Sequence, residues 1–380
     1  MLRITRWTAL PLMLSGCVGV LSAEGPRDDA GTQPGEDSGI HVMPSDGGVP
    51  PLEDAGPTLR DGGPPPMPDA GPVDPCAGVT CGTGSSCVAG DCRCNPGFVE
   101  MGGACVALPP GDPAGRTQAA VCDAWRMGHV ENASPAWTGG ASMCEAGAMS
   151  ADAIDDTLRR VNMFRWLAGL GPVGHNAGNH AQLMECAHMM SVNGALSHDP
   201  PSGWTCYTSG GASAAGRSNI ALGYSTPGSA IDGYMSDRGT PSLGHRRWIL
   251  SGRLGSVEIG FSAASRPGQC LGVFDSSGST DRPWTAYPNQ GFAPIDTARD
   301  TWSFHVNSIG LNSGASVAVE RVSDGAALAV EHYYIEGYGP PVSIGFTPSG
   351  WSPAAGETYR VTISGTSAGD VTYDVTLVSC

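Results

Sequence analysis

The sequence contains no lysine: all 20 basic residues are arginine, set against 36 Asp and Glu for a formal net charge of −16. An acidic chain without a basic stripe is not built to neutralise phosphates, and nucleic acid is excluded as a partner. The lysine gap itself reads as a coding bias toward arginine. No HExxH helix is present for a zinc protease, and no G-x-S-x-G elbow sits in a strand–turn–helix context. Cysteine, by contrast, is abundant. Thirteen in one chain point to an oxidising compartment, and an odd number asks which one stands apart.

The N-terminus supplies an answer. Arg3 and Arg6 precede an apolar run from Trp7 to Leu14, the layout of a secretion signal and too short to span a bilayer. The run ends in Leu14-Ser15-Gly16-Cys17, which resembles the lipobox of bacterial lipoproteins. That resemblance implies cleavage before Cys17, acylation of Cys17, and export to the envelope on a membrane anchor of several acyl chains. Val18 follows the cysteine where an inner-membrane retention signal would carry Asp, which favours the outer membrane or cell surface. Residues 18–75 then hold twelve Pro, eleven Gly and eleven acids, with Asp-Ala-Gly recurring at 29–31, 54–56 and 69–71. Such a stretch cannot bury a core, and a disordered tether is expected. Extended at about 3.1 Å per residue it would reach roughly 180 Å.

Residues 76–106 carry six cysteines spaced C-x4-C-x5-C-x4-C-x-C-x10-C, too short a segment to fold without disulfides. Six cysteines allow 15 connectivities. The run Cys92-Arg93-Cys94-Asn95-Pro96-Gly97-Phe98 resembles the end of an EGF-like module. The resemblance implies Cys76–Cys87, Cys81–Cys92 and Cys94–Cys105. Asp74-Pro75 is too little for the calcium-binding subtype.

The body is expected over 117–275. Ser150 is a candidate N-cap for a helix whose Ile154, Leu158, Val161, Phe164 and Ala168 recur at helical spacing up to Gly169. Further helices are expected over 179–193 and 230–237, and strands at Trp248-Ile249-Leu250 and 257–261. Helices in front and short strands behind give an α+β body. From 284 to 380 period-two alternation at 316–320, 358–364 and 371–377 predicts an antiparallel β-sandwich. Its aromatics Trp302, Tyr333, Tyr334, Tyr338 and Trp351 are candidates for a sugar platform, with core packing as the alternative. Nearest-neighbour spacing suggests Cys122–Cys144, Cys186–Cys206 and Cys270–Cys380.

Four stretches over 150–262 resemble the CAP superfamily (SCP-like: cysteine-rich secretory, antigen 5 and pathogenesis-related proteins). They are Arg160 to Arg165 with Gly169-Leu170-Gly171-Pro172, Ala187 to His198, Ser218-Asn219-Ile220-Ala221-Leu222-Gly223, and Tyr234 to Asp237 followed by Gly244-His245-Arg246-Arg247-Trp248-Ile249-Leu250. The resemblance implies a three-layer α-β-α sandwich with a central cleft. Its histidines, carried over as His198 and His245, line that cleft with Ser218, Asn219 and Arg246, and are able to hold a divalent metal such as zinc. His245 then faces the cleft while Trp248, Ile249 and Leu250 enter the core. On a strand, at most one of Arg246 and Arg247 faces the cleft and the other meets a surface carboxylate. The sequence departs from the family at two points. Ser218 stands where the family has Glu, and near 232–238 the only acids are Asp232 and Asp237. Two imidazoles fall short of the three or four ligands of a stable zinc site, and the general base is missing. His175, His180 and His188 read as a solvated helix face. The expected function is therefore a surface-anchored, non-catalytic binding or adhesion protein with lipid, glycan or protein as ligand. The alternative is a degenerate or metal-dependent hydrolase of peptides or wall material.

Overall fold

The structure, a computed structural model, describes residues 20–21, 75–107, 111–132, 135–338 and 341–380. The signal segment, Cys17 and nearly all of the expected tether lie outside the described residues. Within 18–75 the reading needs one correction: Val20–Leu21 pairs in parallel with Ala221 and Leu222 as an edge strand. The six-cysteine segment consists of two hairpins, 85–94 and 98–107, crosslinked by Cys76–Cys87, Cys81–Cys92 and Cys94–Cys105.

The body begins with a helix that the sequence reading missed, α1 (Gln118–Gly128), capped by Thr117, whose Oγ1 accepts the Ala120 N–H. It packs across α2 (Ala151–Leu167), which starts at the Ser150 cap as expected. Gly128 permits the close crossing, because a Cβ there would stand 2.2 Å from Met163 Sδ. Two α2 arginines complete the end of α1. Arg159 and Arg160 donate to the carbonyls of Met127 and Gly128, satisfying acceptors that a helix C-terminus leaves open. Next come α3 (His180–Asn193), α4 (Ser209–Ala215), α5 (Pro227–Ser236) and α6 (Gly244–Ile249). Helix α5 begins earlier than 230 because Pro227 opens it and Thr226 and Ser229 form a reciprocal cap.

A five-stranded sheet lies between these helices, in the order 20–21, 218–222, 268–272, 256–262, 174–175. Alternation along each strand divides its faces. Ile220, Leu222 and Cys270 join Leu183, Ala187, Met190, Ala214 and Ala215 of α3 and α4. Ala221, Leu271, Val257 and Ile259 face α2, α5 and α6 with Val161, Phe164, Ile231 and Ile249. Helix α3 can approach only over glycines: a Cβ on Gly260 would lie 2.1 Å from the Leu183 carbonyl oxygen, and one on Gly268 2.7 Å from that of Ala187.

Three expected disulfides are corrected. The bonds are Cys122–Cys380, Cys144–Cys206 and Cys186–Cys270, in place of Cys122–Cys144, Cys186–Cys206 and Cys270–Cys380. Cys186–Cys270 fastens α3 to the sheet, and Cys122–Cys380 fastens α1 to the end of the chain.

The C-terminal region holds a four-stranded sheet (284–287, 302–306, 343–348, 330–335) and a five-stranded one (291–294, 369–378, 358–366, 311–321, 326–328) around one apolar core. The pairing is antiparallel except that Gly291–Pro294 runs parallel to Val375–Val378. Trp302 belongs to that core, with Tyr334 and Trp351 packed against it, so these three form no platform.

The segment 244–249 is a helical turn and not a strand, which overturns the expectation for its arginines as well. Arg246 and Arg247 are both fully buried, and both reach out of the body. Arg246 donates to the carbonyls of Met235 (2.6 Å), Ser236 (3.0 Å) and Thr301 (2.6 Å) and to Ser303 Oγ (3.0 Å). Its guanidinium lies 4.5 Å over the Tyr287 ring. Arg247 donates to the carbonyls of Ser242, Gly337 and Pro341. The turn therefore joins the body to the C-terminal sheets. Beneath it, Ser303 Oγ–H donates to His305 Nε2 and His305 Nδ1–H donates to Ser343 Oγ, because Ser303 accepts from Arg246 and Ser343 donates to the Pro341 carbonyl.

Two outcomes follow from this junction. Arg246→Met leaves four buried acceptors unpaired, and a loss of about 3–5 kcal/mol is expected. Calorimetry should then resolve two unfolding transitions, whereas a single transition at the wild-type midpoint would contradict the linking role. His305, meanwhile, is held well below the usual histidine range by burial and then by Arg246 and Arg247. It stays neutral when folded, while the unfolded chain takes up a proton near pH 6.5. Its contribution is thus complete above about pH 6.5 and is lost as pH falls, at up to about 1.4 kcal/mol per unit. Urea midpoints at pH 7.5 and 5.0 should drop more for wild type than for His305→Gln.

Candidate functional site

The residues expected to line a cleft occupy a closed part of the body. His245, on the first turn of α6, has no exposed surface. Its Nδ1–H donates to Asp237 Oδ1 at 2.7 Å, and its ring stacks on Tyr234 with centroids 5.3 Å apart. Nε2 is buried and receives no hydrogen bond among the described residues. The other oxygen of Asp237 accepts the Arg246 backbone N–H at 3.1 Å. Two left-handed residues produce this arrangement. Asp237 ends α5 at φ 51° and Leu243 enters α6 at φ 46°. For a leucine that conformation costs roughly 1–2 kcal/mol, offset by burial of its side chain and by the Arg247 N–H, which donates to its carbonyl.

Asn219 connects this turn to the sheet, its Nδ2 donating to the His245 carbonyl at 3.0 Å. Ser218 is turned elsewhere, with Oγ–H donating to the Ala214 carbonyl at 2.7 Å. His198 is half-buried, and its Nδ1–H donates to the Ala215 carbonyl at 2.9 Å. The structure thus brings Asn219, Asp237, His245 and Arg246 together, while Ser218 and His198 attach to the end of α4.

A zinc ion does not fit this donor set. Among the described residues no three His, Cys, Asp or Glu side chains converge as a metal would require, and two imidazoles do not complete a tetrahedral site. Of the cluster His175, His180 and His188, the last two are committed to hydrogen bonds. His188 is buried between Ser262 Oγ and the Met143 carbonyl, which corrects its place on a solvated face. His180 bonds at the Ile259 carbonyl. His175 lies 6.2 Å from the His180 ring and is pushed below the usual histidine range by burial and then by His180. The sequence Gly365-Thr366-Ser367-Ala368-Gly369 closes a hairpin between two strands and forms no nucleophile elbow.

One open concavity lies elsewhere, where α1, α2 and α5 meet the segment 295–300. It has a volume of about 300 Å³ and is lined by Trp125, His129, Phe164, Tyr287 and the carboxylates Asp232, Asp296 and Asp300. His129 Nδ1–H donates to the Trp125 carbonyl at 2.7 Å, and its Nε2 stands 3.6 Å from Asp232 Oδ1. Burial pushes the Tyr287 hydroxyl well up, against the opposing charge of Arg246. Of these residues the sequence marked Asp232 as a site candidate and Phe164 as part of a helix stripe. Trp125 and His129 sit one helical turn apart on α1, and that spacing was the available signal.

The Asp237–His245 pair is a structural tie, and its removal tests this. Asp237→Ala strands a buried imidazole N–H and the Arg246 N–H, and a loss of about 2–4 kcal/mol is expected. Chemical denaturation of the variant checks it, and an unchanged midpoint would overturn the assignment.

The comparisons agree with the part of the chain that builds this tie. No curated protein matches the chain, and no solved structure matches it. Residues 158–273 match the family model described as CAP, the cysteine-rich secretory protein family, and at those residues the chain carries a CAP domain.

Proposed function

We propose that this chain is an exported, lipid-anchored binding protein in which the CAP domain serves as a scaffold and not as a hydrolase. One observation carries the reading. The family histidine at 245 is sealed from solvent and tied to Asp237, while the open cleft lies at the junction of the CAP domain with the C-terminal sheets. Position 218 adds support, since a buried serine bonded to its own neighbour supplies no general base. Export and anchoring are supported by the Arg3–Arg6 start, the Leu14-Ser15-Gly16-Cys17 box and six disulfides that use every cysteine except Cys17.

Native mass spectrometry of the exported chain, before and after chelator, tests the reading alongside turnover assays on peptide and glycan substrates. A metal-free mass and no turnover are expected. A stoichiometric divalent metal that disappears in both His198→Ala and His245→Ala, or turnover abolished by either, would replace the binding reading with a hydrolytic one.

A further inference from the structure

The junction cleft has an unusual lining. Three carboxylates face it and no arginine does. Each carboxylate has a cationic neighbour that approaches from outside the lining. Asp232 Oδ2 takes Arg160, Asp300 Oδ1 takes Arg238, and Asp296 takes Arg299. The latter two arginines are about two-thirds exposed (side chains 70% and 64%), so their pairs are screened and leave much of the negative potential in the cleft. Asp232 Oδ1 is shut off from water and receives no hydrogen bond among the described residues, with His129 Nε2 3.6 Å away.

Carboxylates alone would be ordinary solvated surface, but here they surround an aromatic wall. The rings of Trp125 and His129 lie 4.2 Å apart, Trp125 meets Phe164 edge-on at 5.9 Å, and Phe164 reaches Tyr287 at 6.2 Å. Arg246 already covers a face of Tyr287 and Phe164 is buried behind it, so Trp125 remains as the accessible π surface. Apolar walls with a few convergent charges, at a domain junction, are the usual make-up of a small-ligand site.

We propose that this cleft binds a compact organic cation bearing N–H donors, a guanidinium or primary ammonium on an aliphatic stem. This deepens the binding reading and rests on it. Aromatic faces attract the cation and strip its water. Carboxylate oxygens need N–H donors, which a quaternary ammonium lacks. A bare metal ion is disfavoured because no three ligating side chains converge here. The net charge of −16 also draws cations toward the surface.

Calorimetric titration of the full exported chain with agmatine, choline, acetyl-Gly-Arg-Gly-amide and its citrulline counterpart tests the proposal. Saturable binding of agmatine or the arginine peptide is expected, weakening several-fold when salt is raised. Agmatine binding assigns a free amine, and peptide binding without agmatine assigns a basic side chain. Asp300→Asn should weaken either by about tenfold. Trp125→Leu should do so by a similar factor, and it provides a second variant should the first fold poorly. Asp374→Asn, on the distant Arg360 pair, should leave affinity unchanged. Binding of neither cation, or equal binding of citrulline peptide or choline, would overturn the proposal. A metal-free, inert chain that ignores these cations leaves the binding reading standing, whereas uptake of a metal at His198 and His245 sinks that reading whatever agmatine does.

Discussion

Two guanidiniums on one helical turn dock the body onto the C-terminal sheets, alongside the covalent tie Cys122–Cys380. A buried arginine gives up several kcal/mol of hydration, and the loss is recovered only if its N–H groups find acceptors. Arg246 uses Nε, Nη1 and Nη2, and its four partners span the last turn of α5 and the strand at 302–306. Arg247 binds the carbonyls of Gly337 and Pro341. Every acceptor is a backbone carbonyl or a hydroxyl, so the geometry depends on backbone placement. The helix is what makes this workable. Successive side chains on a helix diverge by about 100°, so neighbouring arginines can reach two different elements while both stay buried.

The same turn decides what becomes of His245. With its two successors committed to the junction, the imidazole points inward, where Asp237 and Tyr234 hold it. Asp237 also accepts the Arg246 N–H, so one carboxylate fixes both the histidine and the start of the arginine turn. Chemistry at His245 and cohesion of the two cores are therefore coupled: exposing the imidazole would mean unwinding the turn that carries the arginines.

The legible and illegible parts of the sequence divide along physical lines. Helix α2 was readable because Ile154, Leu158, Val161 and Phe164 recur every three or four residues over about three turns and Gly169 stops it. Helix α1 was not, since it buries little beyond Val121 and Cys122 and its C-terminus is completed by arginines of another helix. The disulfides of the first module followed from a family resemblance. Those of the body defeated nearest-neighbour reasoning, because loop closure costs only about 0.6 kcal/mol per doubling of length and a link such as Cys122–Cys380 is scarcely penalised. The segment 244–250 was too short to separate strand from helix by periodicity. Of the candidate site, His245 and Asn219 were legible and Trp125 and His129 were not, as a junction cleft is made of residues far apart in sequence.

Ser218 shows how the strand beside α4 is closed to water. The strand 218–222 is buried along its whole length. A carboxylate at its first position would be shut away from water, and a buried carboxylate persists only beside a cation, a metal or strong donors. Serine removes that demand by donating to the Ala214 carbonyl. Beside His245 the one buried carboxylate is that of Asp237, which the imidazole N–H and the Arg246 N–H already satisfy, so the interior closes over the imidazole. The carboxylates that face the junction cavity, Asp232, Asp296 and Asp300, come from α5 and from the segment 295–300 between two strands of the C-terminal sheets. That cavity exists only because the two cores are docked. The arginine turn that shuts His245 away is thus also the device that holds this junction cavity together.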